Sequence, residues 1–265
     1  MIRPAAVAGM FYPAERAVLQ VTLQSLLEDN RTPAVESRSL RGLIVPHAGY
    51  VYSGPVAAAG YSWLAGLEQD RHYDVVILAP SHRSWFSGAV LPSASAFRTP
   101  LGDVAVAKEA SMMLDTSEVA TCDEAHRDEH AIEVQLPFLQ SVMRDFCIIP
   151  LLLGEADPEA LAEDILALPI PNMLVIVSSD LSHYEPYERA VQHDRATIAR
   201  IIAHEARDVG ASDACGCMPI RVVQAMAVRA HWHFGLLDYR NSGDTAGDRS
   251  AVVGYAAIGI REEEE

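Results

Sequence analysis

The sequence predicts a single α/β domain over residues 1–265, with a central, mostly parallel or mixed sheet and helices on both of its faces. Short apolar runs alternate with amphipathic ones along the whole chain, which is typical of strands and helices arranged in layers. The apolar runs are too continuous for strands with one face in water, so helices should cover both faces. Half of the 265 residues are apolar, which is enough for one sizeable core.

The elements follow from this alternation. Seven apolar runs are expected to form buried strands, at Gly42–Pro46, Tyr73–Pro80, Gly88–Ala94, Cys147–Gly154, Asn172–Ser179, His233–Tyr239 and Ala251–Ile260. Six segments are expected to be helices, at Pro13–Glu28, Pro55–Leu67, Glu129–Met143, Pro158–Leu166, Tyr187–Glu205 and Met218–Arg229. Pro13, Pro55 and Pro158 each suit the first turn of a helix, where a missing N–H costs nothing.

The charge of the chain excludes several functions. There are 36 acidic and 20 basic side chains, giving a formal net charge of −16. This argues against a nucleic-acid partner, because binding the phosphate backbone requires several basic side chains. The single lysine, Lys108, is not part of a Gly-Lys-Ser/Thr phosphate loop, so ATPase chemistry of that type is excluded.

Other features predict a cytoplasmic protein that does not span a membrane. The first residues, MIRPAAVAGMFYP, do not resemble a secretory signal. The uncharged stretch Gly42–Leu67 contains two prolines, a histidine and five glycines, so it fails as a spanning helix. The four cysteines match neither a disulfide framework nor the Cys-x-x-Cys pairs of a structural zinc site, so we expect them to be reduced and non-catalytic.

Each of three predicted strands is followed by a histidine just beyond its carboxyl end. LIVP runs into His47, VVILAPS into His82, and LVIVSSDLS into His183. In an open α/β sheet, ligand sites form at this edge because the loops that leave several strands converge there. We therefore expect the three histidines to face one crevice, although any single one could be a loop histidine bonded to backbone.

The neighbours of these histidines offer further polar groups. Tyr50 and Tyr52 follow the first histidine and carry phenol donors, while Arg83 or Trp85, after the second, could line the same pocket and contact substrate. Asp180, three residues before the third histidine, could orient an imidazole or contact substrate, since carboxylates commonly fix the tautomer of such a histidine. It could equally cap the turn.

A loop near the C-terminus supplies candidate carboxylates. The segment NSGDTAGDRSAVVGY contains Asp244 and Asp248 between the last two predicted strands, where turn chemistry alone could also explain them. Two histidines and one carboxylate with open coordination positions form the ligand set of non-haem Fe(II) enzymes that activate oxygen. These donors do not by themselves exclude zinc or manganese.

A competing motif is HRDEH, which matches the H-x-x-E-H pattern of some zinc peptidases. That pattern needs a continuous helix, so that two histidines one turn apart bind zinc and the glutamate acts as base. Asp128 and Glu129 instead resemble a helix start, which leaves His126 in the preceding loop. His130 and Glu133 would then point toward the crevice, with His130 near the substrate, or would support the surrounding loops.

Taken together, the motifs resemble those of one known family over essentially the whole chain. They are MIRPAAVAGMFYP, VPHAGYVYSGPVAAAGY, APSHRSW, DEAHRDEHAIEVQLPFLQ, SSDLSHY and SGDTAGDRSAVVGYAA. In this order they look like the Memo family, named AmmeMemoRadiSam system protein B in bacteria and archaea. The resemblance implies a fold related to class III extradiol dioxygenases, which are non-haem iron enzymes that open catechol rings.

The resemblance also implies roles for individual residues. His47 and His82 match the two histidines of the metal site, and His183 matches the histidine that serves as acid/base. Where animal Memo proteins have a cysteine and the dioxygenases a glutamate, this sequence has Thr245, a poor iron ligand. The neighbouring Asp244 could restore a carboxylate if the loop is irregular.

The leading hypothesis is therefore a metal-dependent oxidoreductase in which His47, His82 and Asp244 hold Fe(II), with zinc or copper as other candidate metals. His183, with Asp180, would move a proton on a small aromatic or phenolic substrate. The alternatives are a non-catalytic adaptor that binds a metal or a peptide at a degenerate site, and a zinc hydrolase. The family name suggests a radical-SAM protein and an AMMECR-type protein as pathway partners.

Overall fold

Strands and helices alternate in the computed structural model, which describes residues 1–32, 39–116 and 118–262. The described residues form one α/β domain with a large mixed sheet covered by helices. The fold class predicted from the sequence is confirmed.

The strands are β1 to β12, at Ile2–Arg3, Leu40–Val45, Tyr73–Pro80, Ala89–Leu91, Ala96–Thr99, Gly102–Ala105, Val119–Thr121, Phe146–Leu153, Met173–Ser178, His183–Glu185, Trp232–Asn241 and Val252–Glu262. The helices are α1 to α8, at Arg16–Asp29, Tyr50–Leu64, Asp123–Arg127, Leu136–Val142, Pro158–Leu166, Tyr187–Ile202, Cys217–Ala230 and Ser242–Thr245.

Four parallel strands form the centre of the large sheet, in the order β2, β9, β3, β8. Strand β12 lies antiparallel to β2 and also pairs with β10 and β11. At the other side of the sheet, β4 pairs antiparallel with β8 and parallel with β7. Because β2, β9 and β3 are parallel neighbours, their carboxyl ends meet at one edge of the sheet. The segments that leave them there carry His47, Asp180 and His82.

The two faces of the sheet contact different helices. Along β3, Val75 and Ile77 belong to an apolar cluster that includes residues of α1, α2 and α4. The alternate residues Val76 and Leu78 belong to a second cluster that includes residues of α5 and α7. Successive side chains of a strand point to opposite faces, so β3 is buried on both sides, which explains its uninterrupted apolar run.

Helix α2 begins earlier than predicted. The sequence predicts a helix over Pro55–Leu67 with the proline in its first turn, but α2 starts at Tyr50 and contains Pro55 in its interior. A proline there leaves the carbonyl four residues earlier without its helical hydrogen bond. That residue is Val51, which is 71% exposed, so its turn faces solvent and the proline is tolerated.

Pro158 and Pro13, the other two prolines predicted in a first helical turn, differ in whether they lie in a helix. Pro158 is the first residue of α5, as predicted, and the Asp157 carboxylate accepts hydrogen bonds from the next two backbone N–H groups. Pro13 lies outside a helix, because α1 begins only at Arg16.

The predicted helix over Glu129–Met143 is shorter in the structure. A 3-10 turn at Glu133–Gln135 precedes α4, and the residues before it form a loop. The N–H groups of His130 and Ala131 donate to the Glu129 carboxylate at 2.8 and 3.0 Å. These contacts replace a first helical turn and leave His130 in the loop.

A small sheet of β1, β5 and β6 was not predicted. Strand β1 pairs with β5, and β5 pairs with β6. These strands have two to four residues each, too short to give an apolar run in the sequence.

A buried ion pair fastens the N-terminal segment to the loop before α4. The Arg3 guanidinium donates to Glu133 at 2.6 Å and to the carbonyl oxygens of His126 and Glu129 at 2.6 and 2.5 Å. The Glu133 carboxylate also accepts the Tyr12 hydroxyl at 2.6 Å and two backbone N–H groups of the N-terminal segment. Glu133 therefore supports the loops around the sheet edge.

Two further expectations concern membranes and thiols. No helix in the described ranges combines the length and apolar character needed to cross a bilayer. All four cysteines lie within the described part of the chain, and all are free and half-buried.

Substitution Glu133→Ala should lower the free energy of unfolding by about 3–5 kcal/mol, because it leaves the buried Arg3 charge without a partner. Urea denaturation measures this change. The matched control is Glu124→Ala, since Glu124 is exposed on α3. An equal effect of the two substitutions would contradict the bracing role of the ion pair.

Candidate metal centre

Three histidines from distant parts of the chain lie together at the carboxyl edge of the sheet. The ring centroids of His47 and His82 are 5.0 Å apart, those of His47 and His130 are 5.3 Å apart, and those of His82 and His130 are 4.7 Å apart. One ring nitrogen of each lies within 4.8 Å of the other two. This group could hold a metal ion.

Each histidine comes from a different element. His47 follows β2 and is only 2% exposed. His82 follows β3 with a side chain that is 32% exposed, and His130 lies in the loop between α3 and α4 with a side chain that is 16% exposed. The centre is therefore closed on the sheet side and open to solvent beside His82.

The Glu129 carboxylate orients two of the three rings. It accepts the backbone N–H of His82 at 2.7 Å, and its other oxygen lies 3.0 Å from His82 Nδ1 and 3.1 Å from His130 Nδ1. An ionised carboxylate can only accept, so both Nδ1 atoms carry protons. This leaves both Nε2 atoms with lone pairs, as in the carboxylate–histidine–metal arrangement of many metal sites.

The Glu129 carboxylate is ionised despite its burial. Burial by itself would raise its pKa, but hydrogen bonds from His130 and His82 outweigh this and hold the pKa far below its usual range. Its negative charge next to two imidazoles increases their basicity and so favours a cation at their Nε2 atoms.

Ser178 orients the third ring. Its hydroxyl donates its only proton to the Ala131 carbonyl at 2.7 Å and accepts the Gln135 amide at 2.9 Å. It lies 2.9 Å from His47 Nδ1, so this nitrogen must be the donor and His47 Nε2 is left with a lone pair. Burial, followed by the charges of His82 and His130, lowers the pKa of His47 well below its usual value, which keeps the ring neutral.

A cysteine lies at the edge of this group. The Cys215 Sγ is 3.2 Å from His47 Nε2 and accepts the Asp180 backbone N–H at 3.2 Å. Burial raises the pKa of its thiol, so it is protonated as the structure stands. The segment comes this close because Gly216 packs directly on Ser179, where a Cβ atom would be 2.5 Å from the serine Cβ.

Asp180 and His183 lie beside the three histidines. Asp180 is 4% exposed, and its carboxylate accepts the His47 backbone N–H at 2.8 Å. Burial raises the pKa of Asp180, while this N–H and the charge of His183 act in the opposite direction. His183 is the exposed first residue of β10, and its charge is among those that lower the pKa of His47, so it lies near that ring.

The structure does not bring Asp244 to the three histidines. One oxygen of its carboxylate accepts the Asn241 backbone N–H at 3.0 Å, in a capping box at the start of α8, and the other accepts the Tyr187 hydroxyl at 2.7 Å. Asp248 caps its own turn by accepting from the residue two positions later. His130, predicted to contact substrate, occupies the third place in the group instead.

The H-x-x-E-H motif does not form a site of its own. His126 lies at the end of α3, which stops at Arg127, rather than in a loop as predicted. Its side chain is buried, and Nε2 bonds to the Val90 carbonyl at 3.0 Å. Because the helix is interrupted, His126 and His130 do not share one helical face.

The predicted substrate-binding residues differ in their availability. Tyr50 is buried in α2, and its hydroxyl donates to the Val134 carbonyl at 2.7 Å. This hydroxyl is therefore committed to the core. Tyr52, Arg83 and Trp85 are exposed, so their side chains are free to meet a ligand at the surface.

The sequence did not identify the residues that orient the rings. Glu129 could have been suggested by its position next to His130, and Ser178 by its place at the end of β9. Cys215 gave no signal beyond the Cys-x-Cys pair, because the segment that carries it approaches the site only through tertiary packing.

Substitution Glu129→Gln should weaken metal binding about 10- to 100-fold, because it removes the charge that orients two of the imidazoles. Competition with a chromophoric chelator measures the affinity. Glu124→Gln changes an exposed glutamate of α3 and should leave the affinity unchanged. Equal affinities for the two variants would refute the orienting role.

The buried His126 should make the fold sensitive to acid. Burial, with a smaller effect from Arg3, lowers its pKa to about 4, whereas the unfolded chain binds that proton near 6.5. Stability is therefore lost as the pH falls from about 6.5 to about 4. Between about pH 7 and pH 5 the loss is about 2 kcal/mol. Urea denaturation of the unaltered protein and of His126→Gln should show this difference in pH dependence, and parallel curves would contradict it.

Comparison with known proteins supports the family resemblance that the sequence motifs indicate. The family model described as Memo-like protein matches residues 3–259. A MEMO1 family protein of Sulfolobus acidocaldarius is 38% identical, over 97% of this chain and 99% of its own. Relatives with the same family name from Methanopyrus kandleri and Methanosarcina mazei are 38% and 36% identical, over 98% and 97% of this chain and 99% and 98% of theirs. The chain belongs to the Memo family.

Proposed function

We propose that this chain is a metal-dependent oxidoreductase whose metal is held by His47, His82 and His130. The observation that carries the proposal is the orientation of the three rings. Each Nδ1 atom is paired with Ser178 or Glu129, so each Nε2 atom keeps a lone pair, and one ring nitrogen of each histidine lies within 4.8 Å of the other two. Such preorganisation is what a metal centre requires.

Fe(II) is the metal that we propose. Imidazole nitrogen suits iron, copper and zinc, so the donor set fits iron without selecting it. The likeness of the strand-end histidines to those of non-haem iron dioxygenases favours iron. The three histidines differ from the usual iron ligands of two histidines and one carboxylate. Here Glu129 is not a ligand, and its carboxylate supplies a negative charge at Nδ1 of His82 and His130. When bound, the iron would supply the redox chemistry that couples oxygen and substrate.

His183 is the proposed acid/base. It is exposed and lies near the buried Asp180. A phenol that enters beside His82 would present its hydroxyl to this imidazole, which would take up the proton and return it. Asp180 positions His47 through its backbone N–H and lies near His183.

The substrate that we propose is a small phenol or another aromatic molecule. Tyr52, Arg83 and Trp85 are exposed, and Arg83 and Trp85 follow His82 closely in the chain. An aromatic ring can stack on tyrosine, tryptophan or the arginine plane, and the guanidinium would attract a phenolate. The buried Tyr50 has no part in this binding.

Metal content tests the ligand set. The unaltered protein, loaded anaerobically with Fe(II), should bind one ion more per chain than His47→Ala, His82→Ala or His130→Ala. Asp244→Asn is the matched control and should retain the metal, because its carboxylate is engaged at α8. Equal metal content in all four variants and the unaltered protein would refute the centre.

Oxygen consumption tests turnover. The iron-loaded protein should consume oxygen with a member of a library of catechols and other phenols. His183→Gln should lower the rate about 10²- to 10⁴-fold, as expected for loss of a general acid/base, while the iron content stays the same. An unchanged rate in this variant would remove His183 from the mechanism.

A second candidate function is metal binding without turnover. It is favoured by the commitment of Tyr50 to the core and of Asp244 to α8, which leaves few polar groups to hold a substrate. In this case the Fe(II) stoichiometry is the same, but the complete phenol library produces no oxygen consumption.

A further inference from the structure

A second group of metal-binding side chains lies at the opposite edge of the sheet. It consists of His72, Asp74 and Cys147, and one ligand atom of each lies within 4.8 Å of the others. His72 and Asp74 flank the first residue of β3, and Cys147 is the second residue of β8. Because β3 has eight residues that rise about 3.3 Å each, this group is about 26 Å from the histidines beyond its other end.

We propose that this group is a second metal site, which binds Zn²⁺ or a similar divalent ion through His72 Nε2, Asp74 Oδ1 and Cys147 Sγ. A nitrogen, a carboxylate oxygen and a sulfur are the three donor types that zinc uses in proteins. The site is independent of the histidine centre and of its proposed activity.

The distances between the donor atoms fit a tetrahedral ion. Zinc bonds of about 2.0–2.3 Å at a tetrahedral angle place the ligand atoms about 3.4–3.6 Å apart. His72 Nε2 is 3.3 Å from Cys147 Sγ and 3.9 Å from Asp74 Oδ1, and the sulfur is 3.0 Å from that oxygen. Shifts of a few tenths of an ångström therefore bring all three to one ion.

A fourth side chain orients the imidazole. The Asp145 carboxylate lies 2.8 Å from His72 Nδ1, and a carboxylate accepts the proton of that nitrogen. His72 Nε2 is thereby left with a lone pair that faces the sulfur and Asp74. This is the same carboxylate–histidine arrangement as in the histidine centre, and it makes Asp145 a positioning residue.

Hydrogen bonds and strand pairing fix the backbone around this group, and the outer side of the group is open to solvent. The amide of Asn172, just before β9, donates to the His72 carbonyl at 3.0 Å, and β3 and β8 pair directly at this end. The His72 side chain is 48% exposed and that of Asp145 is 67% exposed. An ion can therefore enter from solvent, and a water molecule can complete its coordination.

Binding exchanges a proton for the cation. Without metal, the Cys147 thiol donates to Asp74 at 3.0 Å, and burial, followed by this hydrogen bond, raises its pKa to about 12. The ion would replace that proton between sulfur and oxygen, and the proton would leave to water.

Cobalt titration tests the site, because Co²⁺ takes the same ligands as zinc and a thiolate ligand gives it a sulfur-to-cobalt charge-transfer band. Full-length His47→Ala/His82→Ala protein, in which the first centre is disabled, should bind one Co²⁺ per chain and show this band. Adding Cys147→Ser or His72→Ala should abolish the band and the bound ion, while Cys122→Ser, which changes another half-buried cysteine, should change neither. Asp145→Asn should weaken binding about 10- to 100-fold and leave the band position unchanged. Absence of the band, or its persistence with Cys147→Ser, would overturn the proposal.

A measurement on the unaltered protein gives a second test that does not depend on the folding of the variants. Zn²⁺ should slow alkylation of Cys147 by iodoacetamide several-fold, with the modified peptides followed by mass spectrometry. Alkylation of Cys122 serves as the internal control and should not change. Equal alkylation of Cys147 with and without Zn²⁺ would overturn the proposal.

Discussion

The buried Glu129 carboxylate is the contact on which the candidate metal centre depends. It accepts N–H groups of His82 and His130, which belong to segments separated along the chain by strands β4 to β7. A buried carboxylate is stable only when its hydrogen bonds are complete, so both segments must meet around it. The same bonds fix the tautomer of both rings. The fold thus orients these ligands before any metal binds.

The N-terminal segment braces this arrangement from outside. Arg3 holds the carbonyl oxygens of His126 and Glu129 and pairs with Glu133. Phe11, further along the same segment, packs against the His130 ring at 4.6 Å between centroids. The loop with His130 therefore needs no long helix to keep its shape.

Part of the centre could be predicted from the sequence because it depends on local pattern. Buried parallel strands have continuous apolar runs, and the residues after them must emerge at one edge, which places His47 and His82 there. The third histidine could not be predicted in the same way. His130 reaches the group through a loop that replaces the expected helical turn, and Asp244 is diverted by a capping box and by Tyr187.

The sequence by itself determined the α/β class, the two-sided burial of the central strands and the family, because periodicity and motifs are local properties of the chain. Tertiary structure alone decided which side chains share a point in space. Glu129 and Ser178 became orienting groups, and Cys147 met His72, because hydrogen bonds and strand pairing join residues far apart in the chain. Such contacts leave no periodic signal that a sequence could reveal.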